Sequence, residues 1–257
     1  FLDYISNNKV LGVYKINDDN LIPKDEKSFS KSLKKLLPKY DLVIVSDYGH
    51  GFISSRSANL ICSSSKYLAL NAQVNAANVG YHSMRNYRKV DCVIINEKEI
   101  RHELRDKNAK IELLMKKLSR QQKIKNLIVT QGTVGSKLYN KKDDKFNISD
   151  AYAKTSVDKI GAGDAMLSLI ALCLRNKLDK NLTMLIASLA AAQSVGTIGN
   201  KIEQEIKFLK EKGATPDQLK SLESKLDMAN KVQQYEPIIR LGKKPVLKVL
   251  MRFLDKV

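Results

Sequence analysis

DLVIVS, residues 41–46, sets a run of apolar, largely β-branched residues between two polar ends, with no polar position inside it. A strand with one wet face alternates apolar and polar side chains, so an unbroken run marks a strand buried on both faces, as in a parallel sheet. Upstream, Phe29, Leu33, Leu36 and Leu37 have helical spacing that Pro38 brings to a stop. Downstream, the polar, glycine-containing exit DYGHG (47–51) precedes a predicted helix over 55–65. The cycle then repeats. YLAL (67–70), CVII (92–95) and LIVT (127–130) read as strands, and SKLYN (136–140) leads away from a glycine-containing turn. Glu97 to Arg105, Ile111 to Leu118, Asp164 to Asn176 and Leu182 to Val195 have helical periodicity. Strands alternating with helices predict a mostly parallel sheet covered on both sides.

The two ends read differently. KVLGVYKI (9–16) is rich in β-branched and apolar residues and predicts extended structure, closed by NDDN (17–20). From Lys201 onward the pattern is helical, with no convincing strand. There TPDQ (215–218) has the form of a capping box opening a helix to about Tyr235, and a shorter helix is expected over Val246 to Leu254. The expected organisation is a domain over residues 1–200 and a helical C-terminal extension over 201–257.

At 257 residues, with 43% hydrophobic and 28% charged side chains, the chain can bury a sizeable core without metals or disulfides. Its longest apolar stretches, LIALCL (169–174) and LIASLAAA (185–192), are too short to cross a bilayer, which argues against a membrane partner. Three cysteines far apart, with no CxxC, exclude a secreted disulfide scaffold and fit a reducing cytoplasm. A formal charge of +18 would suit nucleic acid or phosphorylated metabolites. The lysines are dispersed, however, and no aromatic RNA-binding motif accompanies them, so solvated faces are the preferred reading over a nucleic-acid binder.

Three stretches carry chemistry. In VDKIGAGDAMLSLIALCL (157–174), Gly161, Ala162 and Gly163 stand directly before an apolar helix. Their backbone N–H groups can face a ligand unobstructed, and a helix N-terminus favours an anion such as a phosphate. Asp164 would cap that helix or, facing a substrate hydroxyl, act as general base, an effect worth ~10²–10⁴ in rate. In LIVTQGTVGSKLY (127–139), Gly132 and Gly135 follow a strand and permit either a tight turn or close approach of a nucleotide. In INEKE (95–99), Asn96 and Glu99 can point the same way from a helix start. They form either a helix cap or a hold on hydrated Mg²⁺, an ion that keeps most of its waters. Asp47 is a substrate contact at a strand exit or a turn-forming residue. His50 shares that exit, whereas His82 and His102 lack zinc-ligand spacing. The G-x-S-x-G elbow of hydrolases does not occur.

Taken in order, NEKE, TQGTVG and DKIGAGD resemble the N-x-x-E, T-x-G-x-x-G and D-T-x-G-A-G-D motifs of the ribokinase-like (PfkB) carbohydrate kinases. The resemblance runs from about residue 1 to Lys201. VSDYGHG (45–51), NAANVGYHSMRNY (75–87) and SVGTIGNK (194–201) look most like the heptose-7-phosphate kinase branch, whose members often carry a nucleotidyltransferase domain. What the resemblance implies is a three-layer α/β/α sandwich that phosphorylates a sugar or sugar phosphate with ATP and Mg²⁺, a heptose phosphate being the first expectation. Asp164 would be the base, and Gly161, Ala162 and Gly163 the anion hole. Asn96 and Glu99 would position Mg²⁺ through water, and Thr130, Gly132 and Gly135 would line the ATP site. Asp47 and Gly49 would face the acceptor sugar. Asp158 and the Ile160 carbonyl would hold a monovalent cation such as K⁺. A nucleotidyltransferase domain or subunit and a second copy of the chain are the implied partners.

The sequence also departs from the family. Lys159 replaces the Thr of D-T-x-G-A-G-D, and Asn71-Ala72-Gln73 stands where an Asp-Pro-Lys-like stretch is common. The family's Gly-rich N-terminal sugar motif precedes the point where this sequence opens, at Phe1. These departures leave a non-catalytic nucleotide-binding scaffold as the alternative.

Overall fold

A computed structural model describes residues 19–73, 83–152, 161–195, 239–241 and 244–250. The expectations for 9–16, for Asp158 to Ile160 and for the helix opening at Thr215 fall outside these residues. The expected run of apolar strands is present. β1 (Val43–Asp47), β2 (Leu68–Ala72), β3 (Cys92–Asn96) and β4 (Asn126–Thr130) lie side by side and parallel. β1 and β2 are buried along their whole length, the apolar runs Val43–Val45 and Leu68–Leu70 as well as the polar Ser46, Asp47 and Asn71 that follow them. β5 (Ser136–Asn140) and β6 (Lys145–Ser149) then extend the sheet antiparallel beyond β4.

The helices cover both faces. α1 (Pro23–Leu36), α2 (Ser55–Ser64), α3 (Glu97–Leu104) and α4 (Ile111–Gln122) pack on one face. Alternate strand residues meet them: Val43 and Val45 on β1, Leu68 and Leu70 on β2, Val93 and Ile95 on β3, Leu127 and Val129 on β4. α5 (Ala162–Arg175) and α6 (Lys180–Val195) cover the opposite face. There Met166, Leu167, Ile170 and Ala171 of α5 meet Ile44, Ala69, Cys92 and Ile94. Burying each of the larger side chains stabilises by ~1.5–3 kcal/mol, which fixes α5 firmly on the sheet. α1 begins with Pro23, carries Asp25 and Glu26 in its first turn, and gives way to a 3₁₀ turn, Leu37–Lys39, that contains Pro38.

One expectation is overturned at the far end of the chain. Within the segment read as a helix over Val246 to Leu254, residues up to Leu250 belong to a strand, β8 (Lys244–Leu250). It pairs parallel with β1, while β7 (Ile239–Leu241) pairs antiparallel with β8. Among the described residues the strand order is β6-β5-β4-β3-β2-β1-β8-β7. The physical cause is the second edge of β1, whose backbone N–H and C=O groups need partners; Val246 and Val249 suit a strand that supplies them. Among the described residues, no helix is long and apolar enough to cross a membrane.

Candidate active site

In a parallel sheet all strands exit at one edge, and ligands bind there. Here Asp47 is in register with Ala72, and Asn96 with Thr130. The three motifs therefore gather at the carboxyl ends of β1 to β4. Neighbouring strands lie ~4.8 Å apart, so about 14 Å of edge separates β1 from β4.

The GAGD motif stands over β1 and β2. Gly161 precedes α5 with φ +86°, a left-handed conformation that side chains rarely adopt, and Ala162, Gly163 and Asp164 form the first turn. Asp164 does not cap its own helix. Its Oδ1 accepts a hydrogen bond from the Ser46 hydroxyl at 3.0 Å, and its Oδ2 accepts one from the Tyr48 hydroxyl at 3.2 Å. Gly163 faces Asn71 of β2, whose Nδ2 lies 3.9 Å from the place a Cβ on Gly163 would take. Nδ2 donates to the Ile94 carbonyl at 3.3 Å. The Asn71 Oδ1 is buried without a donor among the described residues.

Asp47, between Ser46 and Tyr48, points to the other face. It is buried; its Oδ1 accepts from the Gly49 N–H at 2.9 Å and its Oδ2 from the Tyr87 hydroxyl at 2.6 Å. Burial, reinforced by the Asp47 charge, raises the Tyr87 phenol well above its ordinary pKa, so it remains a donor. Of the two sequence readings of Asp47, the geometry displays the turn-forming one, with Gly49 as its partner.

Farther along the edge, Asn96 and Glu99 form a complete capping box. The Asn96 side chain accepts from the Glu99 N–H at 2.8 Å, and Glu99 Oε2 accepts from the Asn96 N–H at 2.8 Å. Asn96 is exposed and Glu99 buried. Thr130 ends β4, and Gly132–Val134 makes the tight turn into β5. Gly135, with φ +108°, has no room for a side chain, since a Cβ there would meet the Ser149 carbonyl oxygen at 2.2 Å. Around Gly132 the space is open, with nothing within 4 Å of a Cβ. The two motifs are tied together. Gln131 Nε2 donates to Glu97 Oε2 at 2.8 Å, and Arg101 donates to Glu97 Oε1 at 2.7 and 2.9 Å. Both interactions, Gln131 first, hold the Glu97 carboxyl below its usual pKa. Among the described residues, no group of three or more His, Cys, Asp or Glu could hold a metal ion by itself.

The sequence reading missed the roles of Ser46, Tyr48 and Asn71. One signal was present: alternation along β1 puts Ser46 after Leu42 and Ile44 on the α5 face, a polar end to an apolar row.

The chain has relatives among known proteins. The chain is 25% identical over 233 residues, 88% of its length and 45% of the relative's, to the bifunctional protein HldE of Aliarcobacter butzleri. It is 31% identical over 162 residues to HldE of Campylobacter concisus, covering 62% of this chain and 33% of that one. It thus spans less than half the length of these curated relatives. The fold matches phosphofructokinase-2 of Escherichia coli in complex with potassium, with a TM-score of 0.58 at 11% identity over 71% of this chain and 59% of that one. Ribokinase from Giardia lamblia gives a TM-score of 0.54 at 20% identity, over 68% and 60%. The architecture is therefore the ribokinase-like α/β/α sandwich. Residues 58–207, more than half of the chain, match the profile described as pfkB family carbohydrate kinase, and the chain belongs to that family.

Proposed function

We propose that this chain catalyses ATP-dependent phosphorylation of a sugar phosphate, with Asp164 as general base and a heptose 7-phosphate as acceptor. The observation that carries the reading is the placement of Asp164 at the first turn of α5, fixed on the strand-exit edge by Ser46 and Tyr48. In-line transfer needs a base beside the acceptor oxygen and positive dipoles around the moving phosphoryl group. The acceptor O–H gives its proton to the Asp164 carboxylate as its oxygen bonds to the γ-phosphorus. The bond from that phosphorus to the β–γ bridging oxygen breaks, and ADP leaves with the electron pair. The N–H groups of Gly161, Ala162 and Gly163 and the α5 dipole favour the charge on the phosphoryl oxygens. Thr130 and the open space at Gly132 suit the nucleotide, while Gly135 shapes the turn beneath it.

The orphaned Asn71 Oδ1 fits a hydrated magnesium ion, because a metal-bound water is the kind of donor this buried oxygen lacks. Asn96, at the end of β3, and Glu99, in the first turn of α3, would complete that outer shell. When bound, Mg²⁺ neutralises phosphate charge and helps orient the chain of phosphates. The heptose assignment rests on the resemblance of VSDYGHG (45–51) to the heptose-7-phosphate kinase branch and on the relatives named HldE. Their description as bifunctional also supports a nucleotidyltransferase partner, as a domain or a subunit. We assign the reaction to the cytoplasm.

The test is ADP release from MgATP across a panel of sugars and sugar phosphates. Turnover with a D-heptose 7-phosphate, and much less with hexose phosphates, is expected. MgATP binding without turnover on any acceptor would instead favour the scaffold reading.

A further inference from the structure

We infer that Ser46 and Tyr48 are positioning residues for Asp164: two hydroxyls from the exit of β1 that clamp both oxygens of the carboxylate and aim its remaining lone pairs at the acceptor. The inference rests on the kinase reading and extends it to residues outside the three motifs. Asp164, at the third position of α5, could reach back to the N–H of Gly161 at the N-cap. Among the described residues no such bond is made. Both oxygens of Asp164 instead reach a strand 116 to 118 residues earlier in the chain.

The sequence S-D-Y builds this clamp through the two-residue period of a strand. Ser46 and Tyr48 turn toward α5, and Asp47 turns to the opposite face, where the Gly49 N–H and the Tyr87 hydroxyl hold it. That second anchor fixes the backbone from which Tyr48 projects. Ser46 is only 2% exposed, on a strand paired along both edges. Its hydroxyl is therefore a rigid donor. A carboxylate offers about four lone-pair sites. With one hydroxyl on each oxygen, two sites remain, and their direction is set by the sheet and not by free rotation of the Asp164 side chain. Small misplacement of a reacting group can cost up to about 10² in rate, so a fixed base has a measurable value.

The experiment is steady-state kinetics of the full chain with MgATP and a D-heptose 7-phosphate, comparing the parent with Ser46→Ala, Tyr48→Phe and the double variant. Each substitution is expected to lower kcat about 10-fold, and the pair about 10²-fold, with the KM for MgATP kept within about twofold. In an Asp164→Asn background the same substitutions should change kcat by less than about twofold, because their effect runs through that carboxylate. Thermal melting within a few degrees of the parent verifies the fold, and Tyr48→Phe, at a half-buried site, serves where Ser46→Ala perturbs packing. A double variant with parental kcat would overturn the inference, as would an undiminished loss in the Asn background. A parent chain with no turnover at all would instead overturn the kinase reading, and this clamp with it.

Discussion

Gly135 and Asn71 show how single residues here divide between shape and chemistry. Gly135 serves shape: its φ of +108° and the Ser149 carbonyl 2.2 Å from any Cβ leave no place for a methyl group. Gly135→Ala should therefore destabilise the chain by about 1–3 kcal/mol or more, read as a lowered urea midpoint, and an unchanged midpoint would refute that account. Asn71 is assigned to chemistry by the proposal: a buried amide oxygen without a donor among the described residues costs stability, on the order of 1–3 kcal/mol. Asn71→Leu relieves that oxygen but gives up the Nδ2 bond to the Ile94 carbonyl, so it is expected to melt within a few degrees of the parent while kcat falls. A structural asparagine would show the reverse, lower stability with activity intact.

The elements joining these residues are held by local devices with separable energies. The Asn96–Glu99 box caps α3 at the exit of β3, so Asn96→Ala should cost about 1 kcal/mol of folding stability. Asn96→Asp, an equally good cap, should restore it in chemical denaturation, and equal losses in both variants would argue against the box. Such devices were legible in the sequence because they are local: NEKE reads as a cap, and DLVIVS as a strand buried on both faces, from neighbouring residues alone. What could not be read required distant partners. Ser46 meets Asp164 across 118 residues, and nothing in either stretch announces the other. For β8, the residues Val246, Leu247, Val249 and Leu250 fit a helical stripe as well as a strand. The open edge of β1, about 200 residues away, decides between them. The T-x-G-x-x-G and N-x-x-E stretches form the turn and the cap that their bare residues allow. The functional role proposed for them rests on their sharing one sheet edge with Asp164, a property of topology and not of any single motif.

Over the whole molecule, a charge of +18 suits the proposed reaction, which joins two anions. Long-range attraction of this kind is screened by salt. Raising ionic strength from about 0.05 to about 0.3 M should lower kcat/KM for a sugar phosphate several-fold while leaving kcat nearly unchanged. A flat kcat/KM would mean that the lysines only solvate the surface. Chelating divalent metal should abolish turnover and adding Mg²⁺ restore it, if Asn71, Asn96 and Glu99 serve a metal as assigned. The α5 N-terminus is proposed as the phosphoryl-transfer centre, with Asp164 as its base. The most direct test is Asp164→Asn, measured for both MgATP affinity and kcat with a D-heptose 7-phosphate. The account predicts unchanged affinity and a kcat lower by ~10²–10⁴. A variant that binds MgATP and turns over like the parent chain would contradict it.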